Sequence, residues 1–111
     1  MKYLITESQL NNSVFKYLDT QNFFAVEDRG DLYLWESESS WRERQYPLIS
    51  THVNYDDAFV SCDLITRISD FFPISLDDAL LLVGEWFKYR YGFESLGRFY
   101  SDCDYDSDDY N

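Results

Sequence analysis

One histidine and two cysteines limit the chemistry this chain can perform. His52 must carry any histidine-dependent general base or nucleophile relay. It sits in Ser50-Thr51-His52-Val53-Asn54, an extended-looking run with no nucleophile elbow beside it, and reads as an ordinary sheet histidine. Cys62 and Cys103 are too few for a four-ligand metal set or a disulfide framework, and without a signal-peptide pattern both are expected as reduced thiols. The adjacent carboxylates Asp56-Asp57 and Asp77-Asp78 could do acid/base work, but the first pair fits a turn and the second the opening of a helix. Asp102, Asp104, Asp106 and Asp108 imitate the start of a calcium loop, yet Ser107 stands where a glycine would allow the sharp turn and no bidentate glutamate follows. Trp41-Arg42-Glu43-Arg44 and Lys88-Tyr89-Arg90-Tyr91 interleave basic and aromatic residues as single-strand nucleic-acid surfaces do. Glu43 divides the first run, and Lys88 and Arg90 suit the C-terminal turn of a helix. The glycines at 30, 84, 92 and 97 form no phosphate-cradling loop. The chain is therefore expected not to be an enzyme and to use no metal and no cofactor.

The elements that position these residues belong to one small domain. At 111 residues, with 45% hydrophobic and 20% aromatic content, the chain can bury a real core and is too apolar to be disordered. Its 21 acidic residues against 9 basic ones give a net charge of −12, which argues against direct binding to nucleic acid or to an anionic membrane. The longest apolar run, Ala79-Leu80-Leu81-Leu82-Val83, is far too short to span a bilayer.

Tyr3-Leu4-Ile5 reads as a first strand, and Thr6-Glu7-Ser8-Gln9 as a capping box opening a helix whose apolar face is Leu10, Val14, Tyr17 and Leu18. Phe23–Glu27 and Leu32–Glu36 flank Asp28-Arg29-Gly30-Asp31 as a β-hairpin. Glu36–Ser40 reads as a turn, with Trp41–Tyr46 and Leu48–Tyr55 extended on either side of Pro47. Ala58–Phe72 is read as a strand passing into a helix. Ser75 as N-cap, Asp77 and Asp78 in the first turn, and Gly92 as the left-handed stop bound a core helix running to about Tyr91. Phe93–Tyr100 is read as a final strand. The expected fold is α+β: an antiparallel sheet of three to five strands in residues 1–100 with two or three helices on one face, followed by an acidic, solvated tail, 101–111.

The opening Met1-Lys2-Tyr3-Leu4-Ile5-Thr6-Glu7-Ser8-Gln9-Leu10, and the later acidic helix ending in Trp86-Phe87 and Tyr91-Gly92-Phe93, resemble small acidic accessory proteins of large tailed bacteriophages. That resemblance implies a viral protein acting in the cytoplasm of a bacterium, and no activity, cofactor or catalytic residue. Joined to the charge, it suggests an inhibitor that offers carboxylates where a basic host nucleic-acid-binding protein expects phosphates. Twelve net charges match about 20 Å of duplex at one charge per roughly 1.7 Å, and a two-fold dimer would double that length. The residues expected to meet the partner are Glu27, Asp28, Asp31, Glu36, Glu38, Asp56, Asp57, Asp77 and Asp78. The competing expectation is a virion or assembly component whose tyrosines and tryptophans form oligomer interfaces.

Overall fold

The computed structural model describes residues 7–103. The strand expected at Tyr3–Ile5, the Thr6 part of the capping box and the tail from Asp104 onward lie outside the described residues. Within them the order is α1 (Glu7–Asp19), β1 (Phe24–Asp28), β2 (Asp31–Trp35), α2 (Glu38–Arg42), β3 (Ile49–His52), a 3-10 turn (Val53–Tyr55), β4 (Asp57–Val60), α3 (Cys62–Phe71), α4 (Leu76–Tyr91) and β5 (Arg98–Ser101). The fold is α+β. Its five strands lie in sequence order in one sheet, antiparallel from β1 to β4.

Local signals account for the helix boundaries. Ser61 and Ser75 sit in extended backbone and accept from the amides of Asp63 and Asp78, which satisfies donors that the first turns of α3 and α4 leave open. Gly92 closes α4 at φ 79°, in the left-handed region that only glycine enters without steric cost. Helical spacing then buries Leu64, Ile65 and Ile68 of α3, and Ala79, Leu82, Val83, Trp86 and Phe87 of α4. With Val14 and Leu18 of α1 they form one core against Leu34, Ile49, Ala58 and Val60, which strand alternation and register place on the same face of the sheet. The nearly covered Trp86 keeps its indole N–H satisfied by donating to the Asp19 carboxylate, 2.9 Å away.

Four expectations need correction. The final strand is shorter than Phe93–Tyr100 and pairs parallel to β4, Asp57 with Arg98 through Val60 with Ser101. A parallel neighbour needs a long crossover, and α3 and α4 supply it. Trp41 is helical instead of extended, because Ser37 caps the short α2 by accepting from Ser40 N, and Arg42 pairs with Glu38 one turn back. The strand expected to run to Tyr55 ends at His52, where Val53–Tyr55 turn and Asp56 adopts φ 62°. Finally, Cys62 and Cys103 are joined in a disulfide, so neither thiol is reduced. The bond carries the folded unit past residue 100: Ser101 ends β5, Asp102 Oδ1 accepts from the Cys62 amide at 2.8 Å, and Cys103 is buried.

The disulfide closes a loop of sequence separation 41 that contains α3, α4 and β5. Chain-entropy arguments assign such a closure about 4 kcal/mol. Reduction, or the double substitution Cys62→Ser/Cys103→Ser, should therefore lower the free energy of unfolding by about that amount in urea titrations. An unchanged midpoint under reducing conditions would refute this.

Candidate functional site

The long helices α1, α3 and α4 cover one face of the sheet and leave the other to loops and the short α2. Register assigns Phe24 and Val26 of β1, Tyr33 and Trp35 of β2, Ser50 and His52 of β3, Asp57 and Phe59 of β4, and Arg98 and Tyr100 of β5 to this second face. At its β1 side α2 leans inward, with the Trp41 ring 5.2 Å from that of Phe24, and Trp35 Nε1 donates to the carbonyl of Gln45 at 2.8 Å. Over β3, β4 and β5 the face stays open.

A groove of about 750 Å³ occupies that open stretch. Its floor is Ser50, His52, Phe59 and Tyr100; one wall is Gln45–Leu48 and the other the start of α3 with Asp102. Phe59 and Tyr100 meet edge to face with centroids 5.6 Å apart, and the Arg98 guanidinium lies 5.3 Å from the Tyr100 ring centre. Three carboxylates line the groove: Glu36, Asp63 and Asp102. Arg67 answers the first, donating to Glu36 Oε1 at 2.6 Å, and these hydrogen bonds hold its pKa above the ordinary arginine value against the opposing effect of burial. The disulfide and the Asp102–Cys62 hydrogen bond pin the end of β5 to the N terminus of α3, so both are built into one wall.

His52 lies in this groove, with Nδ1 3.1 Å from Asp57 Oδ1 on the neighbouring strand. Ser50 shares the face, yet its hydroxyl makes no hydrogen bond to the imidazole. The three therefore lack the nucleophile–base contact of a catalytic relay. No group of three or more His, Cys, Asp and Glu among the described residues could hold a metal ion.

The nine carboxylates expected at a partner surface separate into three groups. Glu27 and Asp28 are consecutive in β1 and point to opposite faces, Glu27 on the helix side where no helix reaches. Asp31, Asp56 and Asp57 gather with them at the turn end of the sheet, where Asp31 and Asp57 have structural duties. Asp31 Oδ1 accepts from Val53 N at 2.8 Å and from Thr51 Oγ1 at 3.0 Å, while Thr51 Oγ1 accepts from Leu32 N. Arg29 and Arg98 dilute the negative charge at that end. Glu36 and Glu38 lie at the opposite end of β2, each paired with an arginine. Asp77 and Asp78 occupy the first turn of α4. The sheet thus does not bring the nine to one face. The groove residues Ser50, Phe59, Asp63, Tyr100 and Asp102 were not anticipated, although the period-two alternation of β3 and β4 was present in the sequence.

No family model, curated protein or solved structure matches this chain.

Thr51 is fully buried, and its hydroxyl replaces a ladder hydrogen bond to Leu32. Thr51→Val keeps the shape but strands the Leu32 amide and removes a donor to Asp31, so it should cost about 1–3 kcal/mol in denaturant unfolding. A loss below a few tenths would show that the hydroxyl contributes nothing there.

Proposed function

We propose that this chain is a protein-binding domain that engages a basic partner through the open part of the sheet face opposite α1, α3 and α4. The observation that carries this reading is the groove itself. An aromatic floor open to solvent, rimmed by carboxylates, in a chain of net charge −12 is suited to a cationic protein surface and unsuited to an anionic one. The acids at the turn end and at the start of α4 add long-range attraction, which acts chiefly on the rate of encounter.

The finer form of the proposal is an inhibitor of bacteriophage origin that imitates nucleic acid toward a host nucleic-acid-binding protein. It rests on the resemblance of the opening residues and on Glu27, Asp28, Asp56 and Asp78, which are not engaged in ion pairs with arginine as Glu36 and Glu38 are. A cytoplasmic site of action, which the resemblance implies, would keep both thiols reduced. The disulfide weighs against it, because such bonds persist mainly in oxidising surroundings. No helix among the described residues is long and apolar enough to cross a membrane.

The test is binding to an immobilised basic DNA-binding protein, measured at low and at physiological salt. Affinity should fall at least several-fold as salt rises, because exposed charges are screened over about 8 Å at physiological ionic strength. Ser50→Trp, which fills the groove from its floor, should abolish the complex while circular dichroism is retained. Competition by duplex DNA would support mimicry in particular. Binding indifferent both to salt and to Ser50→Trp would overturn the proposal.

A further inference from the structure

Ser50 is an exception among the buried polar groups. It is only 8% exposed, lies on the groove floor between Tyr33 and Phe59 in register, and its hydroxyl has no hydrogen-bond partner in the protein. The other buried polar side chain among the described residues, Thr51, is fully satisfied. The oxygen itself is not sealed in, since no fully buried side-chain N or O among the described residues lacks a partner, so the group that completes the Ser50 hydroxyl comes from outside the chain. Ser50 opens onto the groove, so whatever completes it enters there.

The surroundings state the chemistry of that ligand. Asp63 lines the groove with no cation beside it, and Asp102 uses Oδ1 for the Cys62 amide and keeps Oδ2 available. Glu36 is answered by Arg67, so the lining carries three carboxylates against one guanidinium. Phe59 and Tyr100 offer ring surfaces, and exposed Tyr46 stands on the Gln45–Leu48 wall. The face already receives one cation in this way, Arg98 over the Tyr100 ring. A planar group with several N–H donors satisfies all of these at once: it donates to hydroxyl and carboxylate oxygens while lying on an aromatic ring.

Building on the protein-binding reading above, we propose that the groove is a recognition site for an arginine side chain presented on an extended segment of the partner protein. Its guanidinium donates to Ser50 Oγ and the Asp63 carboxylate, and its plane lies on one of the two rings, Phe59 or Tyr100, which stand edge to face. A groove of about 750 Å³ exceeds one side chain and accommodates the residues flanking it.

The experiment is an NMR titration of the full chain, disulfide intact, with the capped tripeptide Gly-Arg-Gly and with its citrulline counterpart, which has the same shape and no charge. Saturable shifts are expected at Ser50, Phe59 and Tyr100, with the citrulline peptide at least about fivefold weaker. Asp63→Asn and Ser50→Ala should each weaken the arginine peptide several-fold, and backbone spectra away from the groove should match the parent. Equal affinity for both peptides, shifts confined to the Asp28–Asp31 and Asp56 end, or no saturable binding would overturn the arginine site. The broader reading fails separately: arginine binding in the groove, with no binding of basic proteins, would retain the site and remove the protein-interaction function.

Discussion

Parallel pairing of β5 with β4 is the constraint on which the rest of the molecule depends. Two parallel neighbours cannot be joined by a tight turn, so the chain from Val60 to Arg98 must leave the sheet and return. It does so as α3 and α4, whose apolar stripes pack on the face that holds Ile49, Ala58 and Val60. The one other long helix of the described residues, α1, joins them there, and the core closes on that side. The opposite face is left to loops and to the short α2, which reach only part of it. The groove is the remainder, and the Cys62–Cys103 bond fastens the returning strand along its border.

Where the sequence held local signals, it could be read closely. The Ser75 cap, the acids behind it and Gly92 delimit α4 because each acts on the backbone within one turn. The β1–β2 hairpin was legible for the same reason: Arg29 and Gly30 take the positive φ values that such a tight connection requires. Features made by distant partners were not legible. Nothing in Arg98–Ser101 says that it lies beside β4 in the same direction, and nothing near Cys62 points to a residue 41 positions away. The groove stands between these cases. Alternation distinguishes Ser50 and His52 from Ile49 and Thr51, but which set faces solvent depends on where the helices dock.

The charge of this protein is less concentrated than its total suggests. Among the described residues, Arg42, Lys88, Arg67 and Arg90 are paired with carboxylates at α2, α4, the β2–α3 contact and the α1–α4 contact, so part of the helical surface is locally balanced. Pairs this exposed contribute little stability each. Their larger effect is on the shape of the field, because they leave the groove and the ends of the molecule as the places where negative charge is uncompensated. A net charge of −12 makes copies of an aromatic-rich domain repel one another while leaving those places open to a cation.

β5 is only one residue thick between the two halves of this design. Phe99 faces inward against Gly84 of α4, where even a single added methyl would come within 3.0 Å of the ring, and Tyr100, the next residue, forms the groove floor. The Cα atoms of neighbouring residues share one rigid peptide plane, so a side chain at position 84 that displaced the backbone of Phe99 would also move Tyr100 on the far side. The strand would then act as a short lever. Sequence drift on the dry side of the sheet is thereby written into the geometry of the wet side, and the missing side chain of Gly84 keeps that lever at rest.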